Sequence, residues 1–203
     1  MDHSRLLEKI RSKKARIGVI GLGYVGLPLA ILAAKQGFYV TGFGRSKENV
    51  DKLLRGETRV DTTDKEILKN VLASKKFKPQ QLSVKELQNQ DIIIICVPTP
   101  ITRAKSPDLT AIKHVAGELS KAKLTNQLII NESTVAPGTT RELFDGLSDY
   151  LACSPERIDP GNHDKNVANI AKIVGGKDSH SLALAQLFYK QILSANVVSV
   201  PDL

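Results

Sequence analysis

"IGVIGLGYVGLPLA", Ile17 to Ala30, decides how the rest of the chain reads. Its opening belongs to an apolar run from Ala15 to Ile20, short enough for a buried strand. Gly21, Gly23 and Gly26 follow in the spacing G-x-G-x-x-G, with Leu22, Tyr24 and Val25 between them. Apolar residues then continue at helical density from Tyr24 to Gln36, where Gly37 stops them. In such a strand-turn-helix each glycine has its own task. Gly21 allows the tight turn, Gly23 lets a diphosphate approach the backbone, and Gly26 lets the helix lie close to the strand. The amides that open the helix are then free to face phosphate oxygens. Pro28 falls in the first turns, where a missing N–H costs little. The stretch predicts a dinucleotide site.

"YVTGFGRSKEN", Tyr39 to Asn49, supplies the second strand, Tyr39 to Phe43, and the turn after it. The end of that strand usually carries an acid whose carboxylate accepts from the ribose hydroxyls of NAD and repels a 2′-phosphate. Here the place holds Gly44, followed by Arg45 and Ser46. Gly44 can do neither task. Arg45 could stack on adenine or pair with a 2′-phosphate. NAD is the expected cofactor and NADP stays open, with Glu48 or a water as alternatives for the absent carboxylate.

Further along, apolar bursts alternate with helical patterns. Ser46 caps a helix to about Arg55, ended by Gly56, and another runs from Asp64 to Ala73. "SKKFKPQQ" reads as a solvated loop. "DIIIICVPTP" is the clearest strand: five apolar residues after Asp91, stopped by Pro98 and Pro100. A helix from Asp108 to about Lys121 leads to the strand "QLIINES", a short helix from Thr139 to Leu147 leads to "YLACSP", and "AKIVGG", Ala171 to Gly176, is a sixth strand. A helix from Ser179 to Leu193 and the strand "NVVSV" close the chain. Repeated strand-helix-strand units with short links imply parallel pairing. The expected fold is α/β: a single Rossmann-type, doubly wound domain with a mainly parallel sheet of about six or more strands. Residues 1–14 form a helical lead-in and 15–203 the dinucleotide-binding domain. On such a sheet the Gly21–Gly26 turn, Gly44, Pro98, Ser133 and Pro155 all follow strand ends and line one edge.

Composition agrees. The chain has 203 residues, of which 41% are hydrophobic and only 4% aromatic, so its core must be built mostly of Ile, Leu, Val and Ala. Lysine and arginine number 29 against 21 acids, a formal charge of +8 that suits an anionic partner. Basic residues do not interleave with aromatics as in single-strand binders, so no nucleic acid is expected. Cys96 and Cys153 make no disulfide framework and read as buried free thiols in a reducing compartment. No apolar run approaches the roughly 20 residues of a membrane span, and the polar N-terminus is no signal peptide. The expected location is the cytoplasm, with no membrane partner. His114 and His163 have no companions in metal-ligand spacing, so no metal is expected.

Four motifs occur in order: "IGVIGLGYVGLPLA", "DIIIICVPTP", "ESTVAPGTT" and "SPERIDPGN". Together they resemble the UDP-glucose/GDP-mannose dehydrogenase family from about Ala15 onward, and the lead-in to the glycine turn looks most like the UDP-N-acetylhexosamine branch. The resemblance implies oxidation of a sugar nucleotide at C6 to the carboxylate, with two NAD in succession and a cysteine holding the aldehyde stage. It places Val97, Pro98 and Thr99 beside the NAD ribose, and Ser133 and Thr134 near the nicotinamide, where the Thr134 hydroxyl helps position water. It gives Glu156 the role of activating water and turns Arg157 and Asn162 toward the UDP-sugar. It also implies a homodimer for the full-length protein. Read from the residues alone, Thr134 could instead cap a turn, Glu156 could be a solvated loop acid, and "APGTT" could be a helix start capped by Thr139 or Thr140.

The chain departs from the family pattern at Gly44. The stretch between "PGTT" and "SPER" is short, as if a surface helix were trimmed. The family's linking helix, with its lysine, and the Gly-rich segment with the catalytic cysteine would lie past Leu203, and neither Cys96 nor Cys153 occupies the nucleophile's motif. The expectation is a dinucleotide-binding domain that does not complete the oxidation alone. A non-catalytic dinucleotide-binding module and another Rossmann oxidoreductase, such as a 3-hydroxyacid type, are the alternatives.

Overall fold

Four consecutive isoleucines, Ile92–Ile95, are all fully buried. A strand can bury every residue only if both faces of its sheet are covered. The structure, a computed structural model, describes residues 2–61, 63–156 and 171–203. The sheet comprises β1 (Arg16–Ile20), β2 (Tyr39–Gly44), β3 (Phe77–Gln81), β4 (Ile92–Ile95), β5 (Leu128–Asn131), β6 (Tyr150–Cys153), β7 (Lys172–Gly176) and β8 (Val197–Val200). Their order is β3-β2-β1-β4-β5-β6-β7-β8. Helices α1 (His3–Arg11), α2 (Gly26–Lys35), α3 (Lys47–Leu54), α4 (Lys65–Ala73), α5 (Val84–Gln88), α6 (Thr110–Ala122), α7 (Thr139–Phe144) and α8 (Ser179–Ile192) complete the described elements.

One core joins Ile92 and Ile94 to Leu6, Leu27, Leu29 and Phe188, from α1, α2 and α8. The other joins Ile93 and Ile95 to Leu87, Ile112, Leu119 and Phe144, from α5, α6 and α7. The period-2 alternation of the strand thus divides its side chains between two apolar layers. Leu6 and Ile10 bring α1 into the first layer. Asp91 ties that helix to the sheet: its carboxylate accepts from Lys9 Nζ at 2.7 Å and from the Arg16 amide at 2.9 Å.

Two sequence expectations are corrected. "SKKFKPQQ" is not a solvated loop but contains the edge strand β3, which pairs in parallel with β2. Phe77 in it is 2% exposed, and a short alternating segment with one large apolar anchor is enough to extend a sheet. Pro79 is tolerated because β3 is an edge. The sheet is mainly parallel as expected, but the parallel pairing inferred for successive strands does not extend to β6 and β7, which are antiparallel with Cys153 opposite Gly175. β8 is parallel to β7, so these two strands run against the other six. Helix boundaries also shift: α2 begins at Gly26 and α7 ends at Phe144. No described helix is long and apolar enough to cross a membrane.

Candidate active site

The sheet order turns back beside β1, which has β2 on one side and β4 on the other. The crevice at the carboxyl ends of two such strands is where open α/β sheets take ligands. The glycine turn lies in it. Gly21 has φ +98°, and its amide donates to the Phe43 carbonyl at 3.0 Å. A β-carbon on Gly21 would stand 2.5 Å from the Cys96 carbonyl oxygen, so the turn rests directly on the end of β4. A β-carbon on Gly26 would stand 1.9 Å from the Gly21 carbonyl oxygen. At Gly23 no atom of the described residues lies within 4 Å. Two glycines are therefore needed to close the turn, and the third leaves open space beside exposed backbone. Val25 precedes α2, and no side chain among the described residues caps that helix. Leu22 leans across to β2, and Tyr24 is half exposed. A cradle with open backbone and an uncapped helix head fits a diphosphate.

At the end of β2, Gly44 is buried, and a β-carbon there would lie 2.9 Å from Val50 Cγ2. Val50 therefore fills the space that an acid's stem would need. Arg45 beside it is exposed. The Ser46 hydroxyl accepts from the Asn49 amide at 3.3 Å, the cap expected of it. Glu48 pairs with Lys52 at 2.5 Å along the exposed face of α3.

The tips of β4 and β5 are stitched together. The Ser133 hydroxyl donates to the Val97 carbonyl at 2.8 Å, and the Thr99 hydroxyl donates to the Thr134 carbonyl at 2.6 Å. Val97, Pro98 and Thr99 thus form one ledge with Ser133 and Thr134. Asn131 supports it from below, accepting from the Ser133 amide at 3.1 Å and donating to Thr140 Oγ1 at 2.9 Å. Thr139 and Thr140 do not cap α7: its N-cap is Gly138, at φ +87°, and both threonines are buried in the first turn. Thr134 is exposed, and its hydroxyl caps no amide among the described residues.

Glu156 is not a solvated loop acid. Its side chain is 8% exposed, and its carboxylate lies 2.8 Å from Lys172 Nζ. The same ammonium lies 2.5 Å from the Glu132 carboxylate, which also accepts from the Tyr189 hydroxyl. Burial pushes the Glu132 carboxyl above its ordinary value, more than the Lys172 ammonium beside it pulls it down. Burial opposes the charge on Lys172 too, but the two carboxylates outweigh it and raise the lysine above its ordinary value. Burial raises the Cys96 thiol well above its ordinary value, with the Glu132 charge adding to it, and burial likewise raises Cys153. Arg157 and Asn162 lie outside the described residues. No group of three or more metal-ligating side chains occurs among the described residues.

Sequence reasoning missed Lys172, Glu132 and Tyr189 as members of the site. A parallel β7 would put Lys172 at the amino edge, far from Glu156, whereas the antiparallel strand starts at the carboxyl edge. The available signal was a lysine inside the apolar run "AKIVGG", since a buried charge requires partners.

The profile of the UDP-glucose/GDP-mannose dehydrogenase family, NAD binding domain, matches residues 15–193. The chain is 32% identical over 195 residues to a UDP-N-acetyl-D-mannosamine dehydrogenase of Pyrococcus horikoshii, covering 90% of this chain and 46% of the relative. It is 34% identical over 198 residues to a UDP-N-acetyl-D-glucosamine 6-dehydrogenase of Pseudomonas aeruginosa, covering 90% and 45%. The solved structure of the Pyrococcus horikoshii UDP-D-ManNAc dehydrogenase superposes with a TM-score of 0.84 at 30% identity, over 92% of this chain and 47% of that one. The chain spans about half the length of the relatives it matches. With the glycine turn, the switch point and these matches in agreement, the chain belongs to the UDP-glucose/GDP-mannose dehydrogenase family and carries its NAD-binding domain.

Proposed function

We propose that the chain is the cofactor-binding part of an enzyme that oxidises the C6 alcohol of a UDP-sugar to the carboxylate, with a UDP-N-acetylhexosamine as the substrate class. The observation that carries this reading is the packing of the Gly21 turn on the end of β4, with open backbone at Gly23 and an uncapped α2. Gly21 to Gly26 would hold the diphosphate, Gly44 and Arg45 the adenosine side, and Val97 to Thr99 with Ser133 and Thr134 the nicotinamide side. NAD, when bound, supplies the hydride acceptor, used twice in succession. The exposed Thr134 hydroxyl positions water, and Glu156 draws a proton from it. Arg157 and Asn162 face the sugar nucleotide.

In the route that the family resemblance implies, the carbonyl carbon is held as a thioester until water releases the acid, which calls for a thiolate. Cys96 and Cys153 are poor candidates because burial holds both as thiols. We expect these 203 residues to bind NAD without turning over. Without an acid at position 44, NADP should bind as well. Calorimetry with NAD, NADP and UDP-sugars, beside a turnover assay, tests the reading. Dinucleotide binding with no uronate formed supports it; robust uronate formation by these residues alone refutes it.

A further inference from the structure

A lysine in a central layer of a sheet is costly unless its charge is matched. Lys172 is 5% exposed at the start of β7 and meets two carboxylates from two other strand ends: Glu132 after β5 and Glu156 after β6. Glu132 is 0% exposed and receives the hydroxyl of Tyr189, itself fully buried on α8. The groups form a row, Tyr189 to Glu132 to Lys172 to Glu156, leading from the interior to the carboxyl edge. Among the described residues, Cys96, after β4, is a further titratable group that feels the charges of the row. The backbone reinforces it, since the Glu156 amide donates to the Glu132 carbonyl at 3.2 Å.

Two carboxylates brought this close would share a proton if no cation stood between them. Lys172 stands between them. Its ammonium is committed to both acids, so it is not a free cation for an oxyanion in the crevice. A protonated Glu156 could not draw a proton from water, and an unanchored one would sample many rotamers.

We propose that Lys172, anchored by Glu132 and Tyr189, is the positioning residue for Glu156, fixing its carboxylate at the crevice edge. This inference rests on the reading of Glu156 given above, but it can be tested apart from that reading, on the 203-residue chain, without turnover. The probe is the glutamate side-chain carbonyl signal in carbon-13 NMR, with Glu156 assigned by its loss in Glu156→Gln. In Lys172→Met/Glu132→Gln, which removes the cation and the deeper charge together, the Glu156 signal at neutral pH should shift and broaden as the carboxylate leaves its fixed place. Lys172→Arg should return the signal toward its starting position. A folded double variant whose Glu156 signal neither shifts nor broadens overturns the proposal. Should that variant fail to fold, Glu156→Gln alone decides: it should shift the nitrogen-15 signal of the Lys172 ammonium, and an unmoved signal overturns the proposal. The role of Glu156 itself is tested separately, by uronate formation in a full-length relative carrying the equivalent Gln. Unchanged turnover there removes the catalytic reading and leaves the coupling between Lys172 and Glu156 standing.

Discussion

A β-carbon on Gly26 would lie 1.9 Å from the carbonyl oxygen of Gly21, closer than any unbonded atom can approach. The obstacle is backbone rather than a flexible side chain, so the head of α2 and the glycine turn can meet only because position 26 has no side chain. Gly26→Ala must therefore push α2 off the turn. We expect a loss of about 1–3 kcal/mol in urea unfolding, the usual range for overpacking, together with loss of NAD binding in calorimetry. An alanine variant with unchanged stability and affinity would show that the turn is looser than the geometry implies.

The absent ribose acid has a packing cause. Val50 occupies the space beside Gly44, so Gly44→Asp alone forces Val50 to move. The pair Gly44→Asp/Val50→Ala gives the carboxylate room. We expect it to shift preference toward NAD over NADP by about tenfold or more, in line with about 1.5–3 kcal/mol for a hydrogen bond to a charged group. Titrations of both dinucleotides against the double variant check this, and equal changes for the two would mean that the ribose is not read at this position.

Lys172→Met leaves Glu132 buried without its cation and should cost about 3–5 kcal/mol in urea unfolding. Adding Glu132→Gln should recover part of that loss, because the uncompensated charge goes with it. The pH dependence has a definite sign. The folded value of Lys172 lies above the ordinary 10.5, so its stabilising contribution is complete below pH 10.5 and is lost as pH climbs through the folded value. Tyr189 and Cys96, both raised by burial, act in the same direction. Urea midpoints measured near neutral pH and above pH 10.5 should fall more steeply for the wild type than for Lys172→Met/Glu132→Gln. Parallel curves would contradict the assignment.

Much of the fold was legible because its signals are local. Ile92–Ile95 reads as a strand buried on both faces, and the glycine spacing marks a turn between a strand and a helix whatever surrounds it. β3 was not legible. Its one strong anchor is Phe77, and Lys75, Lys76 and Lys78 around it read as solvent. The reversal of β7 was not legible either, since strand direction depends on a connection rather than on the strand's own residues. The acidic end of the site suffered from that reversal. Glu156 looks like a loop acid until Lys172 arrives from a strand running the other way. Likewise the emptiness of position 44 could be read, but its cause, Val50 one helical turn into α3, could not.

Gly23 offers the most direct test of the central claim that a dinucleotide's diphosphate lies on the glycine turn. No atom of the described residues stands within 4 Å of a β-carbon there, so Gly23→Val should fold normally while filling the space left for the ligand. Isothermal calorimetry of NAD against wild type and Gly23→Val, with urea unfolding of both, decides the matter. The account predicts stability within about 0.5 kcal/mol of wild type and an NAD Kd weakened by at least about tenfold. A stable Gly23→Val chain that binds NAD as tightly as wild type would contradict it.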